Sequence, residues 1–94
     1  MKIRVTIHLD PIHIDEILEG ATEDDLFRKF REEAASRAPF FIKMALKTMS
    51  DQTIREKVVE SYNHKFKARE PVPANAKEFI AFGERVGFVT RVST

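Results

Sequence analysis

The residues best suited to chemistry lie near the N-terminus, in segment 8–16, which holds two imidazoles and three carboxylates. His8, Asp10 and His13 could supply two nitrogen ligands and one carboxylate, the set that binds iron and other divalent metals in some proteins. Alternation in the preceding residues would place His8 and Asp10 on the same face of a strand, with His13 shortly after. The same residues also fit a solvated strand histidine, a helix N-cap and a surface histidine. A metal-dependent protein that uses this cluster is therefore one alternative for the function.

Basic residues near the end of a predicted helix form a second group of candidates. Segment 64–69 is the most basic short stretch of the chain, and it carries Lys65, Lys67 and Arg69 around one phenylalanine. These cations could contact a phosphate or a nucleic acid. They also lie where a helix is expected to end, and cations at that end interact favourably with the helix dipole. Both interpretations stay open.

A further cationic surface depends on the two ends of the chain. If strands at the two termini pair, Lys2, Arg4 and Arg91 would form a small basic face of the sheet, which could bind an anion or an acidic partner. Charged residues on strands also protect a sheet against edge-to-edge aggregation. The basic face is therefore a candidate binding surface that also has a purely protective interpretation.

Residues 39–66 predict two helices joined by a tight turn, which is the arrangement of a helix-turn-helix DNA-binding unit. The usual turn contains a glycine, and this segment has none. The net charge of +1 also differs from the strongly basic surface of small DNA-binding domains. A nucleic-acid-binding regulator built on 39–66 is an alternative function.

Signs of catalysis are sparse along the chain. The sequence contains no Gly-rich phosphate loop and no nucleophile elbow. It has no cysteine, which excludes disulfides, thiolate metal sites and cysteine nucleophiles. The adjacent acids Asp24-Asp25 and Glu32-Glu33 would diverge around a helix, so neither pair can face one substrate as acid and base. We therefore predict no cofactor and favour a protein without catalytic activity, and an enzyme built on scattered residues stays open as an alternative.

The elements that must position these residues begin with a strand at each end of the chain. Near the N-terminus, apolar residues alternate strictly with polar ones, which is the period of a strand with one buried face. The inward residues are Ile3, Val5, Ile7 and Leu9. A second alternation near the C-terminus has Val86, Phe88 and Val92 as its inward residues. Because two strands alone are only marginally stable, the sequence indicates a shortage of sheet partners and open edges available to a protein partner.

Capping residues and apolar periodicity predict helices between these strands. The segments are a short helix between Asp10 and Gly20, a helix from Thr22 to about Arg37, a helix over 39–49, a helix that begins at Ser50 and ends before Pro71, and a helix from Asn75 to about Val86. Gly83 inside the last segment predicts close packing or an early end. The fold class is therefore α+β: a small single domain over 1–94 in which the N- and C-terminal strands pair and about four helices pack on one face.

The helix over 39–49 is apolar around most of its circumference. Only Lys43 and Lys47 form a clearly polar stripe, and such a helix is normally buried on most sides. In so short a chain it must be the central helix of the fold or part of a subunit interface, and we expect it to contribute to both. The candidate interface residues are Phe40, Phe41, Lys43, Met44 and Lys47.

These observations favour a protein–protein interaction or assembly module without chemistry of its own. The most direct arrangement is a two-fold homodimer, with a continuous sheet of four strands across the two copies. No apolar stretch approaches the roughly 20 residues of a membrane helix, and the first residues lack the apolar core of a signal peptide. We therefore expect a soluble cytoplasmic protein without membrane association.

Overall fold

A computed structural model describes residues 1–9 and 12–92 of the chain. The elements, in chain order, are β1 (Lys2–Leu9), β2 (Ile12–Glu19), α1 (Glu23–Arg37), α2 (Phe40–Thr48), α3 (Asp51–Phe66), α4 (Ala76–Val86) and β3 (Val89–Arg91). The predicted α+β class is confirmed, as is the pairing of the two terminal strands. The buried residues of the strands and helices form one hydrophobic core on one face of the sheet.

The sheet has three antiparallel strands in the order β2-β1-β3, so the N-terminal strand lies in the centre. The predicted alternation along β1 is confirmed, because Ile3, Val5, Ile7 and Leu9 are all buried. Central placement gives β1 backbone partners on both edges. It is consequently the most firmly held strand of the three.

The predicted short helix between Asp10 and Gly20 is wrong, because residues 12–19 form β2 and pair with β1 along its whole length. Ile14, Ile17 and Leu18 have helical spacing, but Ile17 points to solvent and is 55% exposed. The proposed helix start at Asp10-Pro11 lies outside the described residues. With β2 in place the sheet already has three strands, so the inferred shortage of partners and the four-stranded intersubunit sheet lose their basis.

The C-terminal strand has the opposite phase from the predicted one. Val89 is buried opposite Val5, and Arg91 lies opposite Ile3, on the face that the helices cover. The reason is that Val86 still belongs to α4, which ends at Gly87 in the left-handed conformation with φ +88°. The strand therefore begins later than the alternation suggested, and Arg91 is displaced from the predicted basic face.

Three helix starts follow the predicted capping chemistry. Thr22 Oγ1 accepts a hydrogen bond from the Asp25 backbone N–H at 3.2 Å, and the Asp25 carboxylate accepts one from the Ala21 N–H. Ser50 caps α3 and Asn75 caps α4 in the same way. Each side chain satisfies an N–H group that the helix leaves without a partner, which fixes where each helix begins.

Gly83 allows α4 to lie directly against β3. A β-carbon at this position would lie 2.4 Å from Cγ2 of Val89, well inside van der Waals contact. The close packing predicted from this glycine is therefore confirmed. The absence of a side chain in the helix is what lets Val89 enter the core.

The substitution Gly83→Ala tests this contact. Alanine normally stabilises a helix by about 1 kcal/mol relative to glycine. Here the added methyl group meets Val89, so we expect the free energy of unfolding to fall by about 1–3 kcal/mol in urea denaturation. In a Val89→Ala background most of this loss should disappear, because the contacted methyl groups are gone. An equal loss in both backgrounds would contradict the contact.

Candidate functional site

The exposed side of α2 carries the two most exposed large apolar residues of the described chain. Phe40 is 70% exposed, Phe41 84% and Met44 48%, and we call these three residues the α2 crest. The two phenyl rings contact each other, with centroids 6.1 Å apart. Leu46 is the one buried residue of this helix. The expectation that α2 is the central helix of the fold is therefore wrong, because it lies at the periphery.

α2 packs on α1 through the side opposite the crest. The half-buried Ile42 and the C-cap residue Met49 pack against the core, and Pro39 precedes the first turn without a side-chain cap. So few buried groups provide little hydrophobic stabilisation for a nine-residue helix. Other contacts must hold it in place.

Arg31 of α1 provides those contacts. Its Nη2 donates to the backbone carbonyl of Leu46 at 2.7 Å and to that of Met49, and its Nη1 bonds the Asp51 carboxylate at 2.6 Å. The carbonyls at the end of a helix lack intrahelical partners and carry partial negative charge, which a cation satisfies. One guanidinium thus joins α1, the end of α2 and the start of α3. Sequence reasoning missed this role, because the partners are backbone atoms 15 and 18 residues away.

A partly open apolar cavity of about 220 Å³ lies beside α2. It is enclosed by the hairpin of β1 and β2 on one side and by α3 on the other. Its walls come from Ile7, Leu9, Ile12, Ile42, Ala45 and Val58, and Lys57 and Ser61 lie at its polar border. We call this space the α2–α3 cavity.

The crest and the cavity are adjacent on the same helix. Phe41 lies one turn before Ala45, and residues four apart are neighbours on a helix surface. The exposed ring of Phe41 therefore lies next to the cavity wall that Ala45 forms. A protruding aromatic group and an apolar recess occur side by side on one surface.

The other flank of α2 is basic. A groove between α1 and α2 is lined by Arg28, Glu32, Lys43 and Lys47, among others. The Arg28 guanidinium lies 3.6 Å from the Asp25 carboxylate and 3.8 Å from the Glu32 carboxylate. Lys43 and Lys47 form no ion pair with any residue that the structure describes. The two lysines predicted to belong to the interface thus border the crest as solvated cations.

The basic face predicted for the sheet is not assembled. Arg4 bonds the Asp15 carboxylate at 3.0 Å across the β1–β2 pair, and Lys2 lies opposite Glu19. Arg91 is on the other face and bonds Glu84 at 3.1 Å. Acidic residues of β2 and α4 therefore offset these cations, and the outer face of the sheet has mixed charge.

The basic stretch at the end of α3 is partly engaged within the fold. Lys65 Nζ donates to the backbone carbonyl of His8 at 3.1 Å and lies 5.6 Å from the ring centroid of Phe66. Lys67 is the C-cap of α3, in the left-handed conformation with φ 52°. Arg69 is exposed in the connection to α4. Lys65 is thus hydrogen-bonded to β1, whereas Lys67 and Arg69 are exposed.

The two histidines of the predicted metal cluster meet across the β1–β2 pair. His8 and His13 are directly opposite in register, and their Nδ1 atoms lie 3.4 Å apart. Asp10, the third predicted ligand, lies outside the described residues. Over 1–9 and 12–92, no group of three potential ligand side chains is close enough to hold a metal ion.

Comparison with protein-family models, with curated proteins and with solved structures finds no match to this chain. In the described part of the chain, each helix is too short or too polar to cross a lipid bilayer.

Replacing Arg31 by methionine tests its role in holding α2. The side chain keeps its bulk but loses its donors to the two α2 carbonyls and to Asp51, so we expect a loss of about 1–3 kcal/mol in unfolding free energy. Amide hydrogen exchange should accelerate most in α2. Arg28→Met, one turn earlier on the same helix, removes only exposed ion pairs and should change stability by about 0.5 kcal/mol or less. Equal effects of the two substitutions would contradict the assigned role.

Proposed function

We propose that this chain is a self-association module whose dimer interface is formed by the α2 crest and the α2–α3 cavity. In a two-fold dimer, Phe41 of each copy enters the cavity of the other. The observation that carries the proposal is the adjacency of protrusion and recess on one helix. A surface of this kind is self-complementary, and a two-fold axis satisfies both halves at once.

The size of the cavity supports an aromatic occupant. An apolar cavity of about 150 Å³ holds a benzene molecule, and the α2–α3 cavity has about 220 Å³. A phenyl ring fits this space with room for the β-carbon. Its aliphatic walls match the chemistry of the ring, since burying apolar surface is the main driving force of association.

The exposed area sets the expected strength of the dimer. An aromatic side chain has about 150–250 Å² of surface that can be buried, so the crest exposes roughly 400 Å² per copy. A stable dimer typically buries about 800 Å² per partner. The crest supplies about half of this area, and the cavity walls and helix flanks must supply the rest. We therefore expect association in the micromolar range.

Electrostatics permit this arrangement. Lys43 and Lys47 lie on the flank of α2 that faces α1, away from the cavity. In a dimer built on the crest they would stay at the solvated rim, where charges influence rates more than affinity. Lys57 at the cavity border is 3.8 Å from Glu60, which offsets its charge. The net charge of +1 adds little long-range repulsion between copies.

The nucleic-acid alternative on 39–66 has weaker support. The most exposed side chains of α2, Phe40 and Phe41, are apolar, and its basic residues are limited to Lys43 and Lys47 on one flank. In α3, Lys57 is close to Glu60 and Lys65 bonds a backbone carbonyl. Phosphate binding needs cations that can release counterions on a common surface.

Because the chain has no cysteine, we also propose that the module acts in a reducing compartment such as the cytoplasm.

Sedimentation equilibrium of Phe41→Ser tests the protruding half of the interface. The parent chain should show the mass of a dimer at micromolar concentrations, and Phe41→Ser should be a monomer of unchanged helicity. Phe66→Ser is the matched control, because Phe66 is an exposed phenylalanine on α3, away from the crest. A monomeric parent chain, or a dimer that survives Phe41→Ser, would contradict the proposal.

Filling the cavity tests the recessed half. Ala45→Leu places a larger apolar side chain at the cavity wall without removing any crest residue, so it should weaken dimerisation by about tenfold or more, equivalent to about 1.4 kcal/mol. The monomer should be no less stable, since the added side chain fills existing space. If the dimerisation constant is unchanged while urea unfolding shows a folded protein, Phe41 does not enter this cavity.

A further inference from the structure

We propose that His8 and His13 together bind a divalent transition-metal ion such as Zn²⁺. This site is at the outer face of the β1–β2 pair and does not depend on the α2 crest. Imidazole nitrogen is a preferred ligand for zinc, copper and nickel, whereas magnesium and calcium prefer oxygen. The inference therefore names a class of cation as well as a place.

The distance between the two nitrogens fits a tetrahedral ion. Zinc–nitrogen bonds of about 2.0–2.1 Å that meet at the tetrahedral angle place two nitrogens about 3.3–3.4 Å apart. The observed Nδ1–Nδ1 distance is 3.4 Å. Without an ion, the same two atoms are within hydrogen-bond distance of each other, and the direction of that bond depends on the tautomers of the rings.

The backbone holds the pair ready for binding. His8 and His13 are opposite in register, so their β-carbons are held close by the ladder between two paired strands. The Lys65 ammonium bonds the His8 carbonyl at 3.1 Å and fixes β1 against α3 at this point. Little conformational entropy is then lost when the rings converge on an ion, which is the main advantage of a preorganised site.

Surrounding groups limit the site to two protein ligands from the described residues. Asp15 is two residues beyond His13 on the same face, but its carboxylate bonds Arg4 at 3.0 Å. Both histidines are exposed, so water can complete the coordination shell. The Lys65 ammonium is near His8, and it donates to the His8 backbone carbonyl rather than to the imidazole. We expect moderate affinity with open positions, as in sites that keep exchangeable water.

The test is a titration of the full chain, without a histidine tag, with Zn²⁺ alone, followed by calorimetry and by the imidazole signals in NMR spectra. We expect saturable binding of one Zn²⁺ per chain, with shifts confined to His8 and His13 among the histidines. Mg²⁺ under the same conditions should produce no such shifts. Absence of Zn²⁺ binding by the folded chain, or one ion shared by two chains, would overturn the proposal.

Three variants assign the ligands. His8→Ala and His13→Ala should each weaken Zn²⁺ binding by at least about tenfold, as expected when a metal site loses a direct ligand. His64→Ala is the matched control, since it removes the third histidine, on α3, and should bind Zn²⁺ like the parent chain. Circular dichroism should be unchanged in all three, because the side chains are exposed. Zn²⁺ binding with the parent affinity in both His8→Ala and His13→Ala would overturn the proposal, and so would loss of binding in His64→Ala.

The monomeric variant separates this site from the proposed dimer. Phe41→Ser should bind Zn²⁺ with the affinity of the parent chain, because the two histidines pair within one chain. A Zn²⁺ affinity that falls together with dimerisation would instead place the ion between two copies and contradict the two-histidine site.

Discussion

The width of a three-stranded sheet limits where every helix of this chain can lie. Three strands about 4.8 Å apart leave room for about two helices, which pack 8–10 Å from each other. α1 and α4 occupy this space, against β2 and β3. α3 contacts the central strand β1 and reaches both of these helices through side chains, with the Arg55 guanidinium 5.1 Å from the Phe27 ring and Tyr62 edge-on to Phe82. α2 is left to pack on α1, and its crest has no element of the same chain to cover it.

The position of α2 explains both halves of the proposed interface. Burial of Leu46 and the hydrogen bonds of Arg31 hold the helix at its C-terminal end, so its outer side need not enter the core. Small side chains, Ala45 on α2 and Ser61 on α3, face the gap between the two helices and leave the cavity unfilled. The uncovered phenyl rings and the unfilled recess thus arise from one packing constraint. A second copy of the chain can cover the phenyl rings and fill the recess.

Local chemistry made much of the fold predictable from sequence. The caps at Thr22, Ser50 and Asn75 and the alternation along β1 act over a few residues, and the structure follows them. The wrong predictions concern segments whose secondary structure or role is determined by tertiary contacts. Residues 12–19 are a strand because β1 pairs with them. The exposed Ile17, together with Ile14 and Leu18, has the spacing of an apolar helix face, which is why the sequence suggested a helix. The role of Arg31 and the cavity depend on how three helices meet, and the sequence has no local signal for such an arrangement. The unusual apolarity of α2, in contrast, can be read directly from its residues.

The most direct measurement of the central claim is an isotope-filtered NOE experiment on a dimer assembled from one labelled and one unlabelled copy. If Phe41 enters the cavity of its partner, its ring protons in one copy should show intermolecular NOEs to the methyl groups of Ile7, Ile42 and Val58 in the other. These residues line the α2–α3 cavity. A dimer whose intermolecular NOEs avoid these methyl groups, or a sample that stays monomeric at NMR concentrations, would contradict the account.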